Sequence, residues 1–217
     1  MKKLANVGVA YLIGAVCALI SVALFMRAWE TLPQCAGLSA IDSFIAGNGE
    51  VHPLFTFRYA LGAMFVTQIV LLVASALTAS QNKKFKIALV ITIILLVIVL
   101  VATVPVPFFK IYIRPLAYVF SFSLTAFGLS FALEGFAEVL EKNRKIKDSN
   151  RVLVFQKILL TFALIAIILG AMFCVGFTND MPIFAIAGNC GFFICFAALI
   201  FAIIAFFVAQ KAIRAIK

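Results

Sequence analysis

Histidine, the usual carrier of acid–base, nucleophilic and metal chemistry near neutral pH, occurs once in this 217-residue sequence, as His52. It stands beside Pro53, with Glu50 two residues earlier, and a lone Glu-x-His in a loop reads as surface decoration. The five cysteines are Cys17, Cys35, Cys174, Cys190 and Cys195. None is spaced as a CxxC pair, and no second histidine is present to complete a zinc or haem set. They read as small apolar fillers of helix interfaces, with a Cys35–Cys190 bridge as the one covalent alternative. There is no G-x-S-x-G elbow, phosphate-cradling glycine loop or pair of intramembrane aspartates. The sequence therefore predicts no enzyme, no cofactor and no metal.

The remaining polar residues with something to do lie inside apolar runs. Gln68, next to Thr67, is the deepest uncharged polar group. Ser121, Ser123, Thr125 and Ser130 give a second run a modest polar face. Such groups either join helices by hydrogen bonds or touch a solute; Gln68, Thr67, Ser121 and Thr125 are the candidate ligand-binding residues. Glu134, Glu138 and Glu141 follow at spacings of four and three on one helix face. Folding this segment back on the next predicts an ion pair between Lys157 and Glu138 or Glu141, which lets the acids approach the membrane cheaply.

What must position these residues is a membrane. Of the residues, 65% are apolar and 12% charged, and the mean hydropathy is +1.20. A soluble domain of this length keeps nearer half of its residues polar. Spans of about 20 apolar residues cross the hydrocarbon, and six are predicted: 5–26, 59–80, 87–108, 116–138, 153–176 and 188–210. The opening run after Met1-Lys2-Lys3 is too long for a signal peptide and lacks a small-x-small cleavage site, so it is read as a retained first helix.

The basic residues orient the chain. With the N-terminus inside, fourteen of the 18 Lys and Arg residues face the cytoplasm, and only Arg27, Arg58, Lys110 and Arg114 fall outside. The net charge of +10 thus marks helix ends and acidic phospholipid headgroups, not nucleic acid. The predicted fold is an all-α membrane protein, a six-transmembrane-helix bundle with both termini inside, forming a single domain over 1–217. The first outer loop carries Leu38, Ile41, Phe44 and Ile45 at helical spacing, and is read as a short amphipathic helix on the outer face.

Small residues mark where helices approach closely. In the sixth span Gly188, Gly191, Cys195, Ala198, Ala202, Ala205, Ala209 and Ala212 recur at alternating spacings of three and four. The seam of Gly191, Ala198, Ala202, Ala205 and Ala209 is expected to face another helix, the first or fourth. Phe193, Ile200, Phe206 and Phe207 are expected to face lipid. Similar stripes run through the fourth span (Ala117, Ser121, Thr125, Gly128, Ala132, Gly135), the first (Ala10, Gly14, Cys17, Ser21) and the fifth (Ala163, Ala166, Gly170). The third is bulky all round and is expected at the periphery.

Two functional readings stand. The first is an accessory or scaffold subunit of a larger transport-type complex in a bacterial cytoplasmic (inner) membrane, with membrane-protein partners and no catalytic centre. It rests on packing seams without central charges. The alternative is a small-solute permease or solute-capturing subunit of an importer, with a small-molecule ligand at Gln68 and the hydroxyls of the fourth span.

Overall fold

The protein's structure, a computed structural model, describes the backbone of residues 2–31, 51–103, 113–178 and 182–216. Side chains are described for 4–26, 60, 62–100, 120–172 and 190–216. Six helices account for nearly all of it: α1 Lys2–Thr31, α2 Val51–Thr78, α3 Lys83–Thr103, α4 Ile113–Lys142, α5 Ile146–Thr178 and α6 Pro182–Arg214. No strand occurs among the described residues. Four of the helices are long and apolar enough to cross a membrane within the described residues: Leu4–Met26, Phe120–Lys142, Ile146–Met172 and Cys190–Arg214, with Gly62–Thr78 a shorter apolar stretch. The amphipathic helix expected around Leu38–Ile45, and Cys35, lie outside the described residues.

Three helices begin before or around a proline: Pro53 and Pro115 in the first turns of α2 and α4, and Pro182 at the head of α6. A first-turn N–H has no intrahelical acceptor, so proline removes nothing there and its fixed φ suits the helix. This is why α2 begins at Val51, earlier than its apolar run, and takes in His52.

Each helix packs on its sequence neighbours, and α1 and α6 close the ring, with α4 also reaching α6 and touching α1. Neighbours run antiparallel, as pairs far apart in sequence show: Ser21 Oγ donates to the Ala60 carbonyl, Asn82 Nδ2 to that of Gly135, and Phe25 meets Phe192. Both chain ends and the turns at 79–82 and 143–145 therefore share one end of the bundle. The basic residues whose side chains are described, from Lys83 to Lys86 and from Lys142 to Arg214, fall toward it.

The polarity is inverted relative to a water-soluble domain. Val66, Val73, Ile93, Val97, Ile168, Phe193 and Phe207 are exposed, while Ser21, Gln68, Ser75, Thr92, Ser121, Ser123 and Thr125 are buried. Such an exterior suits bilayer hydrocarbon, where apolar surface costs nothing and polar groups must be satisfied inside. α4 contributes no exposed large apolar side chain among its described residues, 120–142, and packs against α3, α5 and α6. α3 is more lopsided than its bulky sequence suggests, burying Phe85, Ala88, Thr92, Leu95 and Val99 at spacings of three and four.

On α6, Gly191, Ala198, Ala202, Ala205 and Ala209 are all buried, and Phe193, Ile200 and Phe207 are exposed. Phe206 corrects the expectation that it faces lipid: it is 1% exposed and stacks on Tyr11 at a centroid distance of 5.3 Å. The partner helices also widen beyond the first and fourth. A methyl placed on Gly191 would lie 3.8 Å from the Gly170 nitrogen and 3.9 Å from the Ala166 carbonyl oxygen. The N-terminal part of the seam thus closes on α5 around Ala166 and Gly170.

Candidate functional site

The polar interior lies where α1, α2, α3 and α4 meet. In hydrocarbon a hydroxyl has no water to satisfy it, so it turns to the carbonyl one helical turn back. Thr67 donates to Ala63 O (2.8 Å), Thr78 to Ala74 O (2.9 Å), Thr92 to Ala88 O (2.8 Å) and Thr125 to Ser121 O (2.6 Å). Their protons are spent within their own helices, and lone pairs are what remain to face a neighbour.

Gln68 uses one of these. Its Nε2 donates to Thr125 Oγ1 at 3.0 Å, joining α2 to α4. Because the Thr125 proton goes to Ser121, Thr125 accepts from Gln68, and this fixes the amide with nitrogen toward α4. The other end, Oε1, is fully buried and has no hydrogen-bond partner among the described residues. An orphaned acceptor in such surroundings costs roughly 1–3 kcal/mol.

Two turns along α2 toward the basic end, Tyr11 donates its phenolic proton to Ser75 Oγ (3.0 Å) and also lies 3.2 Å from Thr78 Oγ1. Tyr11, Ser75, Thr92 and Thr125, with Leu71, Leu95, Gly128 and Leu129, line a cleft between these polar groups that is too narrow in this conformation to hold a water molecule. Rings bound the cleft at the basic end. Tyr11, Phe85, Phe136 and Phe206 pack mutually, with Phe85–Phe136 at 5.1 Å edge to face and Tyr11–Phe136 at 5.8 Å. A second cluster, Phe25, Phe122 and Phe192, packs toward the opposite end.

Asn82 fastens this arrangement from below. Its Oδ1 accepts from the Phe85 N–H (3.0 Å), capping α3, while its Nδ2 donates to Gly135 O (2.9 Å). Gly135 lets the helices approach closely: a Cβ there would lie 3.0 Å from the Phe85 ring, which would have to give way.

The four candidate ligand residues therefore separate. Gln68 and Thr125 are joined directly, and Ser121 supplies the carbonyl that orders Thr125. Thr67 is buried and satisfied by its own helix. Sequence reasoning missed Tyr11, Ser75 and Thr92; the available signal was the seven-residue spacing of Gln68 and Ser75, which sets them on one face of α2.

The acidic stripe is also rearranged. The ion pair there is Lys84–Glu134, at 2.6 Å, with Lys84 Nζ 5.9 Å from the Phe131 ring centroid. Lys157 is exposed and makes no ion pair with Glu138 or Glu141, which corrects that expectation. The reason is register. α4 ends at Lys142 and α5 starts at Ile146, and Ser149 Oγ reaches Ala137 O across the turn (2.9 Å). Glu138 is thus level with Asp148, and Lys157 is nine residues farther along, about 13 Å at the helical rise. Asp148 and Ser149 accordingly lie in the first turn of α5.

Lys84→Glu should destabilise the folded protein, and Glu134→Lys in the same chain should recover part of the loss. A coupling of roughly 0.5–1 kcal/mol is expected for a partly exposed pair. A double-mutant cycle of melting curves in one detergent measures it, and strict additivity would exclude the pairing.

Comparisons with protein-family models, with curated proteins and with solved structures find no match.

Proposed function

We propose that the chain is a six-span protein of a bacterial-type inner membrane, with both termini in the cytoplasm, and that it handles a small solute as a permease or the solute-capturing subunit of an importer. The observation that supports solute handling is the Gln68 amide: one end is bonded across to Thr125 and the other is a buried acceptor without a partner. A residue serving only to join helices would be expected to use both ends. Neither this reading nor its rival asks for a catalytic centre.

The rival is an accessory or scaffold subunit of a larger membrane transport complex. The narrowness of the cleft and the gathering, toward one end, of the charges whose side chains are described favour it. The sixth-helix seam no longer does, because it is buried within this chain and needs no neighbouring subunit to cover it. Native mass spectrometry of protein released from mild detergent separates the two. A small non-lipid molecule carried by the intact chain supports solute handling; stoichiometric protein partners on a ligand-free chain support the accessory subunit and overturn the first reading.

Orientation has its own test. Gln81 is exposed in the turn between α2 and α3, whereas Asn82 is engaged by Phe85 and Gly135. A cysteine at Gln81 should resist an impermeant thiol reagent added outside intact cells and react once the cells are opened. Labelling from outside would invert the topology.

A further inference from the structure

The charges whose side chains are described at the basic end are not spread evenly. α3 and α4 bring Lys83, Lys84, Lys86 and Lys142 there, offset by Glu134, Glu138 and Glu141. α5 and α6 bring Lys147, Arg151, Lys157, Lys211 and Arg214, with only Asp148 against them. All five of these cations are exposed, and the one ion pair among the described residues, Lys84–Glu134, uses none of them. Orientation does not require this asymmetry. The bias that sets topology counts basic residues and is nearly indifferent to acids, so acids could have stood among these five as they do on α4.

The same cations continue the exposed apolar stripes of their helices. On α6, Ile200, Ile204 and Phe207 are exposed, and Lys211 and Arg214 follow them at spacings of four and three. On α5, Arg151, Val154, Lys157, Thr161, Ile165 and Ile168 are exposed at spacings of three and four. Each set lies on one face of its helix. The two helices are antiparallel neighbours, with the Phe162 and Phe201 rings 5.5 Å apart, so their outward faces adjoin. Register brings the cations together as well. Gly191 lies against Ala166 and Gly170, and following both helices from there toward the basic end brings Lys211 level with Asp148, between Lys147 and Arg151.

We propose that the basic end of the α5–α6 face is a binding surface for an anionic phospholipid. The headgroup phosphate lies among Lys147, Arg151 and Lys211, and the acyl chains lie along Val154, Ile204 and Phe207. A phosphate diester supplies the charged acceptor that these cations lack within the chain, and each basic residue at a membrane surface strengthens attraction to anionic lipid roughly fivefold. The proposal stands under either functional reading, since it asks only that the bundle sit in a bilayer.

The test compares melting temperatures of the purified full chain in one detergent with dioleoylphosphatidylglycerol or dioleoylphosphatidylcholine, added at equal mole ratio and low ionic strength. A ligand bound by the folded chain alone raises its melting temperature, and the two lipids share their acyl chains, so the difference between them reports the headgroup. The native chain should melt a few degrees higher with phosphatidylglycerol. Arg151→Gln combined with Lys211→Gln should lose more than half of that difference. Lys83→Gln combined with Lys86→Gln, at exposed positions of α3, should keep most of it. Equal losses in the two double variants would mean that headgroups are drawn to the whole basic end, and would overturn the assigned surface. No headgroup difference in the native chain would also overturn it, leaving the five cations to an acidic protein partner. Should the Arg151→Gln, Lys211→Gln chain not fold, Lys147→Gln with Arg214→Gln takes its place under the same criteria.

Discussion

Phe206→Ala should cost about 2–4 kcal/mol of folding free energy, while Phe207→Ala, one residue away, should cost about 0.5 kcal/mol or less. Phe206 is 1% exposed and Phe207 60%, and one residue of helix turns the side chain through about 100°. Phe206 stacks on Tyr11 at 5.3 Å and meets Phe136 edge to face at 6.0 Å. Truncating it opens a cavity among rings that are held by Phe85 and the Asn82 cap. The expected loss is smaller than for the same change in a water-soluble core, because the unfolded chain in lipid already keeps its phenylalanines out of water. The gap left by Phe207 is refilled by lipid. Melting curves of both variants in one detergent decide it; similar losses would mean that Phe206 is not packed against Tyr11.

The second large effect is expected at the seam. Ala202 is fully buried, and a leucine there must push the facing backbone away or adopt a strained rotamer, at roughly 1–3 kcal/mol. Phe207→Leu, on the exposed face, should change stability by about 0.5 kcal/mol or less. Equal melting temperatures for Ala202→Leu and Phe207→Leu, or the greater loss at Phe207, would place the wrong face of α6 inside. The two comparisons are independent, since one empties space beside α1 and the other overfills the small-residue seam.

Much of this architecture was legible because lipid imposes simple demands on sequence. Long uncharged apolar runs marked helices, and alanines and glycines at spacings of three and four marked the buried face of α6. The error at Phe206 shows where that logic stops. Residue 206 follows Ala202 by four and precedes Ala209 by three, so spacing alone put it on the buried face, and only its size argued for lipid. The room for its ring is made by other helices: Tyr11 of α1 supplies the stacking face and Phe136 of α4 meets it edge to face. Such complementary space is written in residues nearly two hundred positions away.

The misplaced Lys157 has a local cause. The α4–α5 turn closes with Lys145 N–H bonding Leu140 O and Arg144 N–H bonding Glu141 O, and Arg144 takes a φ of 59°. This is the Schellman ending, in which the left-handed position is usually glycine. Arginine there gives no warning of a stop, so the helix reads as continuing and the register of everything beyond slips. Lys84, the true partner of Glu134, comes from a helix some fifty residues earlier.

The candidate site was half legible. Depth in an apolar run singled out Gln68 and Thr125, and the two prove to be bonded. Nothing in the sequence pairs them across 57 positions, and nothing distinguishes Thr92 on α3 from a hydroxyl satisfied by its own helix. The orphaned state of Gln68 Oε1 is a property of the assembled bundle alone.

The whole account rests on an apolar exterior surrounding a polar interior, and site-directed spin labelling of the full chain in lipid bilayers tests it most directly. Nitroxides at Val73, Ile93, Ile168 and Phe207, exposed residues of four different helices, should collide readily with oxygen, which concentrates in hydrocarbon, and poorly with a water-soluble nickel chelate. A nitroxide at Gln81 should show the reverse. Chelate accessibility exceeding oxygen accessibility at the four apolar positions would show that water, not lipid, surrounds the bundle, and would contradict the account at its foundation.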